Sequence, residues 1–170
     1  LEDIGKYKVV VAKNKLLKTN TQCNIFAHAE YLTKNNLNLL FDFDIIIDTT
    51  DDWYTSKLIN KFCLIESKKY IFSSAINNHI QICLFNNYYE HVCLNCLFPN
   101  KDEPVLARCE TIGISSVCAG IAGLITAQKT INTLLNIKDE SNILTLINAT
   151  DFSVNNIKVK NNVNCLLNNC

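Results

Sequence analysis

The stretch Phe43-Asp44-Ile45-Ile46-Ile47-Asp48-Thr49-Thr50-Asp51-Asp52 decides how the chain is read. Ile45, Ile46 and Ile47 form an unbroken β-branched run, which suits a strand buried on both faces in a parallel sheet. The run stops at Asp48, and Asp51 and Asp52 follow after two threonines. Ligands of open α/β sheets bind beyond the carboxyl ends of the strands, so three carboxylates at that edge would suit a metal–nucleotide. The simpler reading is a strand-to-helix loop in which Thr50 or Asp51 caps the next helix.

Working outward, Trp53 to Ile65 carries Leu58, Ile59 and Phe62 at helical spacing, and Tyr70-Ile71-Phe72, closed by Ser73-Ser74, reads as the next strand. Upstream, Val9, Ala12, Leu16 and Leu17 recur at helical spacing among Lys6, Lys8, Lys13, Lys15 and Lys18, and Asn20-Thr21 ends that helix. Cys23 to Ala29 looks strand-like, and Ala29 to Leu40 reads as a helix. Strands alternating with helices argue for parallel βαβ units. After residue 78 the pattern changes. Ile80, Ile82 and Leu84 alternate with Gln81 and Cys83, as in a half-exposed antiparallel strand. Asn86 to Arg108 is long, irregular and holds both prolines. Gly113 to Asn136 reads as a long buried helix in which Gly120 and Gly123 allow close packing. Residues 143–147 and 152–159 would form a closing hairpin, and the polar tail from Asn161 to Cys170 needs a tether.

Length and composition set bounds. One hundred and seventy residues suit a single domain, 1–170, with its own core. The net charge is zero, which gives no reason to expect a nucleic-acid or anionic-membrane surface. The apolar runs are too short to span a bilayer, and no signal peptide is recognisable, which points to the cytoplasm. No methionine occurs, even at position 1, so the chain reads as a fragment or processed product.

Nine cysteines in such a chain point to metal ligands or a reactive thiol sooner than to disulfides. Cys93-Leu94-Asn95-Cys96 is a knuckle, and Cys165 and Cys170 form a wider second pair. Four thiolates would close a structural zinc site and pin the tail; unpaired or redox thiols are the alternative. Cys109 lies between Arg108 and Glu110, ahead of a small-residue helix start where a thiolate would be favoured; an inert loop cysteine is the plain alternative. Cys23, Cys63, Cys83 and Cys118 sit among apolar residues and read as core. His28, His79 and His91 make no ligand spacing.

Five features in order carry a resemblance: Asp3-Ile4-Gly5-Lys6-Tyr7-Lys8-Val9, Asp48-Thr49-Thr50-Asp51-Asp52, Cys93-x-x-Cys96-Leu97-Phe98-Pro99, Cys109-Glu110-x-x-Gly113-Ile114, and the late cysteine pair. The chain resembles the ThiF/MoeB group of ubiquitin-activating-enzyme-like proteins. These adenylate the C-terminal glycine of a ubiquitin-like sulfur carrier with ATP and magnesium, in molybdopterin or thiamine biosynthesis. The resemblance implies a Rossmann-like α/β fold whose parallel sheet continues into antiparallel strands. It also implies a homodimer, with neither nucleic acid nor membrane as partner. It places Lys8 on ATP phosphates, Asp51 on magnesium and ATP, and Asp52 where asparagine is usual. It places Cys93, Cys96, Cys165 and Cys170 on a structural zinc, and Cys109 at thioester or persulfide chemistry. Departures go with it. The glycine-rich nucleotide loop and its βαβ unit are not among these residues, the family's arginine is replaced near Ser56, and its E-G-Q reads as Asn78-His79-Ile80-Gln81. A catalytically inactive remnant or protein-binding module of the same fold is the competing expectation.

Overall fold

The computed structural model describes residues 2–86, 92–99, 113–138, 140–162 and 165. The chain divides into two compact units, Leu1–Thr33 and Lys34–Cys170.

In the first unit, α1 (Lys8–Thr19) follows a short turn in which Asp3 pairs with Lys15 at 2.8 Å and with Lys6 at 3.4 Å. The helix forms where its apolar periodicity places it. Cys23 to Ala29 forms no strand, and Cys23 is exposed rather than core. An extended segment becomes a strand only when another backbone pairs with it, and none of the described residues does so here. The helix expected over Ala29 to Leu40 is also absent. Only the 3-10 turn Leu37–Leu40 forms, because the asparagines at 35 and 36 favour turns over helix.

The second unit is a five-stranded sheet in the order β1-β2-β3-β4-β5. β1 (Ile45–Asp48) runs parallel to β2 (Lys69–Ile76) across the helix α2 (Trp53–Ile65), and β2, β3 (His79–Asn86), β4 (Ile143–Asn148) and β5 (Ser153–Lys158) follow antiparallel. The parallel start and antiparallel continuation agree with the sequence reading. Three details differ. β2 does not close at Ser73-Ser74 but runs on to Ile76, because Ser73 is buried and its Oγ accepts a hydrogen bond from the Thr126 hydroxyl at 2.9 Å. β3 is buried on both faces, with Cys83 and Phe85 fully covered, rather than half-exposed. β1 is less buried than β3. Ile46 and Asp48 are buried, whereas Ile47 is 42% exposed.

Alternation along the strands explains this. Ile71, Ile80, Ile82 and Leu84 face the long helix α4 (Ser116–Leu134) and enclose Cys118 and Ala122. Tyr70, Phe72, Cys83 and Phe85 occupy the opposite face, with Tyr70 stacked on Phe85 at 5.6 Å. α4 packs over β2 and β3, so the outward residue of β1 lies beyond its reach. α4 buries one side only, at Cys118, Ala122, Thr126, Lys129 and Thr133. Among the described residues a Cβ added at Gly120 or Gly123 would meet nothing within 4 Å, so none of them makes the close approach the sequence suggested for these glycines. Asparagines at left-handed positions set the turns. Asn77 (φ 54°) starts the two-residue β2–β3 hairpin, and Asn136 (φ 51°) closes α4, where the Ile137 amide reaches the Asn132 carbonyl at 3.0 Å.

Candidate functional site

The acidic loop and the cysteine knuckle are both organised by α2. Asp48, at the end of β1, is 1% exposed, and described groups engage both its oxygens. Oδ1 accepts the Thr50 amide at 2.9 Å and the Thr50 hydroxyl at 2.7 Å, while Oδ2 accepts the Tyr70 hydroxyl at 2.8 Å. A buried carboxylate needs such donors, and these fold the following loop back onto the strand end. Burial, followed by the nearby Asp48 charge, holds the Tyr70 phenol well above its usual range, so it stays a neutral donor. Thr50 Oγ1 also lies 3.2 Å from Ser56 Oγ on the first turn of α2.

Asp52, not Thr50 or Asp51, caps α2, with Oδ2 accepting the Thr55 amide at 2.7 Å and the Thr55 hydroxyl. Negative charge at a helix N-terminus also suits the helix dipole. Asp51 is left exposed at the strand's carboxyl end. Lys8 is exposed on α1, in the other unit.

Eight residues into α2, Asn60 is 1% exposed, and its Oδ1 accepts the Leu94 amide at 2.9 Å. That bond fixes the start of the short helix α3 (Leu94–Leu97), whose first turn closes on the Cys93 carbonyl. The Trp53 and Phe72 rings pack edge-on to Phe98 at the far end of α3.

Cys93 Sγ lies 3.9 Å from Cys96 Sγ and 3.6 Å from Cys165 Sγ, and the three sulfurs fall within 4.8 Å of one another. Three thiols this close, drawn from positions seventy residues apart, form a donor set that could hold a metal ion. Hydrogen bonding with Cys93 pulls the Cys96 thiol below its usual range, and the same bond pushes Cys93 up, so the pair favours one thiolate before any ion arrives. Cys170, the fourth expected ligand, and Cys109 with Arg108 and Glu110 lie outside the described residues.

Asp48 was read in the sequence as one of three edge carboxylates, and the structure gives it an internal duty instead. Thr50 was read as a possible helix cap and Ser56 as the place of a lost arginine, but the roles they and Tyr70 and Asn60 take were not readable, because these depend on strand register and on which side of α2 meets the knuckle.

The ThiF family model matches residues 1–167. A probable molybdopterin-synthase adenylyltransferase of Gracilaria tenuistipitata var. liui is 28% identical over 96% of this chain and 47% of its own length. An adenylyltransferase and sulfurtransferase MOCS3 of Culex quinquefasciatus is 31% identical over 92% of this chain and 36% of its own. A sulfur carrier protein adenylyltransferase of Thermus thermophilus is 28% identical over 96% of this chain and 63% of its own. The chain thus spans from about a third to under two thirds of these relatives. Among solved structures, Escherichia coli MccB with SeMet MccA superimposes with a TM-score of 0.79 at 18% identity, covering 98% of this chain and 51% of that one. At that identity the likeness concerns the fold alone. The family model's match over nearly every residue shows that the chain belongs to the ThiF family.

Proposed function

We propose that this chain is part of an adenylyltransferase that activates the C-terminal glycine of a ubiquitin-like sulfur carrier. The observation that carries the reading is Asp51, exposed beyond β1 on a loop anchored by Asp48, Thr50 and Tyr70. A carboxylate held at a strand's carboxyl end by buried donors is preorganised, which an electrostatic role requires. In the reaction the carrier's terminal carboxylate attacks the α-phosphorus of ATP, the bond to the β-phosphate oxygen breaks, and pyrophosphate leaves. Lys8 offsets phosphate charge. Asp51 would hold a magnesium ion, which neutralises the same charge when bound. Asp52 is committed to capping α2 and supports the loop from behind.

Cys93, Cys96 and Cys165, with Cys170 as fourth ligand, would hold a structural zinc ion. The three clustered sulfurs support this, and the ion would tie the tail to α3. Cys109 is the candidate for thioester or persulfide chemistry with the carrier. A cytoplasmic setting, which keeps thiols reduced, suits both roles. Among the described residues no helix is long and apolar enough to cross a membrane. The partners are a sulfur carrier protein and a second copy of the chain; the pathway is of the molybdopterin or thiamine type, and a relative named a molybdopterin-synthase adenylyltransferase supports the first.

One observation favours a second reading, a non-catalytic binding module of the same fold. Ser56 stands where the family's arginine is expected, is 2% exposed, and contacts Thr50, so the loop keeps its shape without a guanidinium. Carrier-dependent ATP–pyrophosphate exchange separates the two readings. The adenylyltransferase exchanges label, and Lys8→Ala or Asp51→Ala lowers the rate by at least about 100-fold, as expected for a lost phosphate or metal contact. No exchange with any sulfur carrier favours the module; exchange that survives both substitutions refutes the assigned site.

A further inference from the structure

Asn60 uses one half of its side chain to hold the cysteine knuckle and leaves the other half without a partner. It lies on the side of α2 that meets α3 and is buried, as are Cys93 and Leu94. Oδ1 accepts the Leu94 amide at 2.9 Å, whereas Nδ2 of the same carboxamide is buried and makes no hydrogen bond among the described residues. An N–H donor shut away from water with no acceptor is destabilising, so a folded chain keeps few of them. Because Oδ1 and Nδ2 share one carbon, the orphaned donor stands beside the Cys93–Leu94 peptide, next to the cluster of Cys93, Cys96 and Cys165. That cluster already has the spacing of a metal centre. Sulfurs bonded at ~2.3 Å to one tetrahedral ion stand about 3.8 Å apart. The Cys93 sulfur lies 3.9 Å from that of Cys96 and 3.6 Å from that of Cys165.

A thiol is a weak acceptor, whereas a metal takes the thiolate, which is a strong one. Three or more thiolates around a divalent ion leave net negative charge, and at Cys93, which is 0% exposed, no water is there to meet it. We propose that Asn60 is a positioning residue of this metal centre: Oδ1 fixes the peptide that carries Cys93, and Nδ2 donates to the Cys93 sulfur once that sulfur is a thiolate. The donor that lacks a partner and the charge that lacks a donor then satisfy each other. The inference rests on the metal reading given above and adds to it a residue from a helix that supplies no ligand. A group that orients a metal ligand from behind and offsets its charge is typically worth 10–100-fold in affinity.

Two measurements on the full, reduced chain test it: zinc affinity by competition with a chromophoric chelator, and the sulfur-to-metal charge-transfer band after cobalt substitution. Asn60→Leu removes both bonds. It weakens zinc binding by about 10–100-fold and moves the cobalt band to longer wavelength, because a sulfur that loses its donor gives charge to the metal more readily. Asn60→Asp keeps an acceptor for the Leu94 amide but turns the donor into a carboxylate oxygen, so at about pH 8 it weakens zinc at least as much. Leu58→Ala loosens the packing of the same helix without removing a polar group; it lowers stability and leaves the band in place, which controls for variants that merely fold less well. Wild-type zinc affinity in Asn60→Asp overturns the proposal, since holding the Leu94 amide would then suffice. An unmoved band in Asn60→Leu, or an equal shift in Leu58→Ala, overturns it as well. A wild-type chain that binds neither ion removes the metal reading and this proposal together, whereas a metal-binding wild type matched by both Asn60 variants removes this proposal alone.

Discussion

Tyr70→Phe isolates the bond that anchors the acidic loop. The phenol donates to Asp48 Oδ2 at 2.8 Å inside a site where Asp48 is 1% and Tyr70 0% exposed. The substitution removes one oxygen and leaves the ring stacked on Phe85, so no aromatic packing is lost. A hydrogen bond to a charged group contributes about 1.5–3 kcal/mol, and here no water replaces the donor cheaply. A loss of about 2 kcal/mol follows, which for a chain of this length lowers Tm by roughly 4–8 °C. Urea unfolding followed by Trp53 fluorescence at pH 7, with reductant present, measures it, and the m-value should not change. The same substitution in an Asp48→Asn chain supplies the decisive comparison. With a neutral partner the cost should fall to about 1 kcal/mol or less, because the charge-assisted part is gone. An equal cost in both backgrounds, or less than about 0.5 kcal/mol in wild type, would refute the claim that the phenol serves the carboxylate.

Three further outcomes are expected. Protein purified without chelator should carry about one zinc per chain, and Cys93→Ser with Cys96→Ser should abolish it; metal analysis showing less than half an equivalent in wild type, or zinc retained in the variant, contradicts the site. Hydrogen bonds from Lys129 and then Lys138 lower the Glu140 carboxyl from its usual 4.5 to about 2, so this group stabilises the fold above about pH 4.5 and stops doing so as pH falls toward 2. Glu140→Gln should therefore cost about 1–2 kcal/mol at pH 7, stranding the buried Lys129, and the two stability curves should meet near pH 2; a constant gap across that range argues against the pair. Limiting iodoacetamide at pH 7 should label Cys109 and the exposed Cys23 before Cys63 and Cys83, both fully buried and both pushed up to about 12 by burial. Peptide mapping that finds Cys63 or Cys118 labelled ahead of Cys109 removes the case for a special thiol.

Periodicity made much of this architecture readable in advance. α1, α2, α4 and the β4–β5 hairpin lie where apolar spacing puts them, although α1 and β5 bury none of their residues. The failures share a cause. Cys23–Ala29 has strand-like residues but no described partner, and 29–40 has helical spacing interrupted by asparagines. β3 alternates in hydropathy yet is buried on both faces, because α4 covers one face while Phe85 and Cys83 meet aromatic packing on the other. In the site, the knuckle and the acidic loop were visible as motifs. The Asp48–Tyr70 bond was not, since it joins residues whose adjacency exists only after β1 and β2 pair in register. Asn60 was equally silent, because its task is set by a backbone amide thirty-four residues away.

The strand order also constrains how the chain reaches its native state. The β2–β3 and β4–β5 hairpins each close over a few residues and can form on the microsecond scale. Joining β3 to β4 is different, because everything from residue 87 to 142, including α4, lies between them. Bringing the ends of so long a segment together costs roughly 3–4 kcal/mol of chain entropy before any cross-strand contact repays it. The slow step of folding should therefore be the docking of two preformed hairpins, with α4 laid across β2 and β3 as the segment closes. Substitutions at Ile82 and Thr145, which meet across that seam, should slow refolding, whereas those in the β4–β5 turn should mainly speed unfolding.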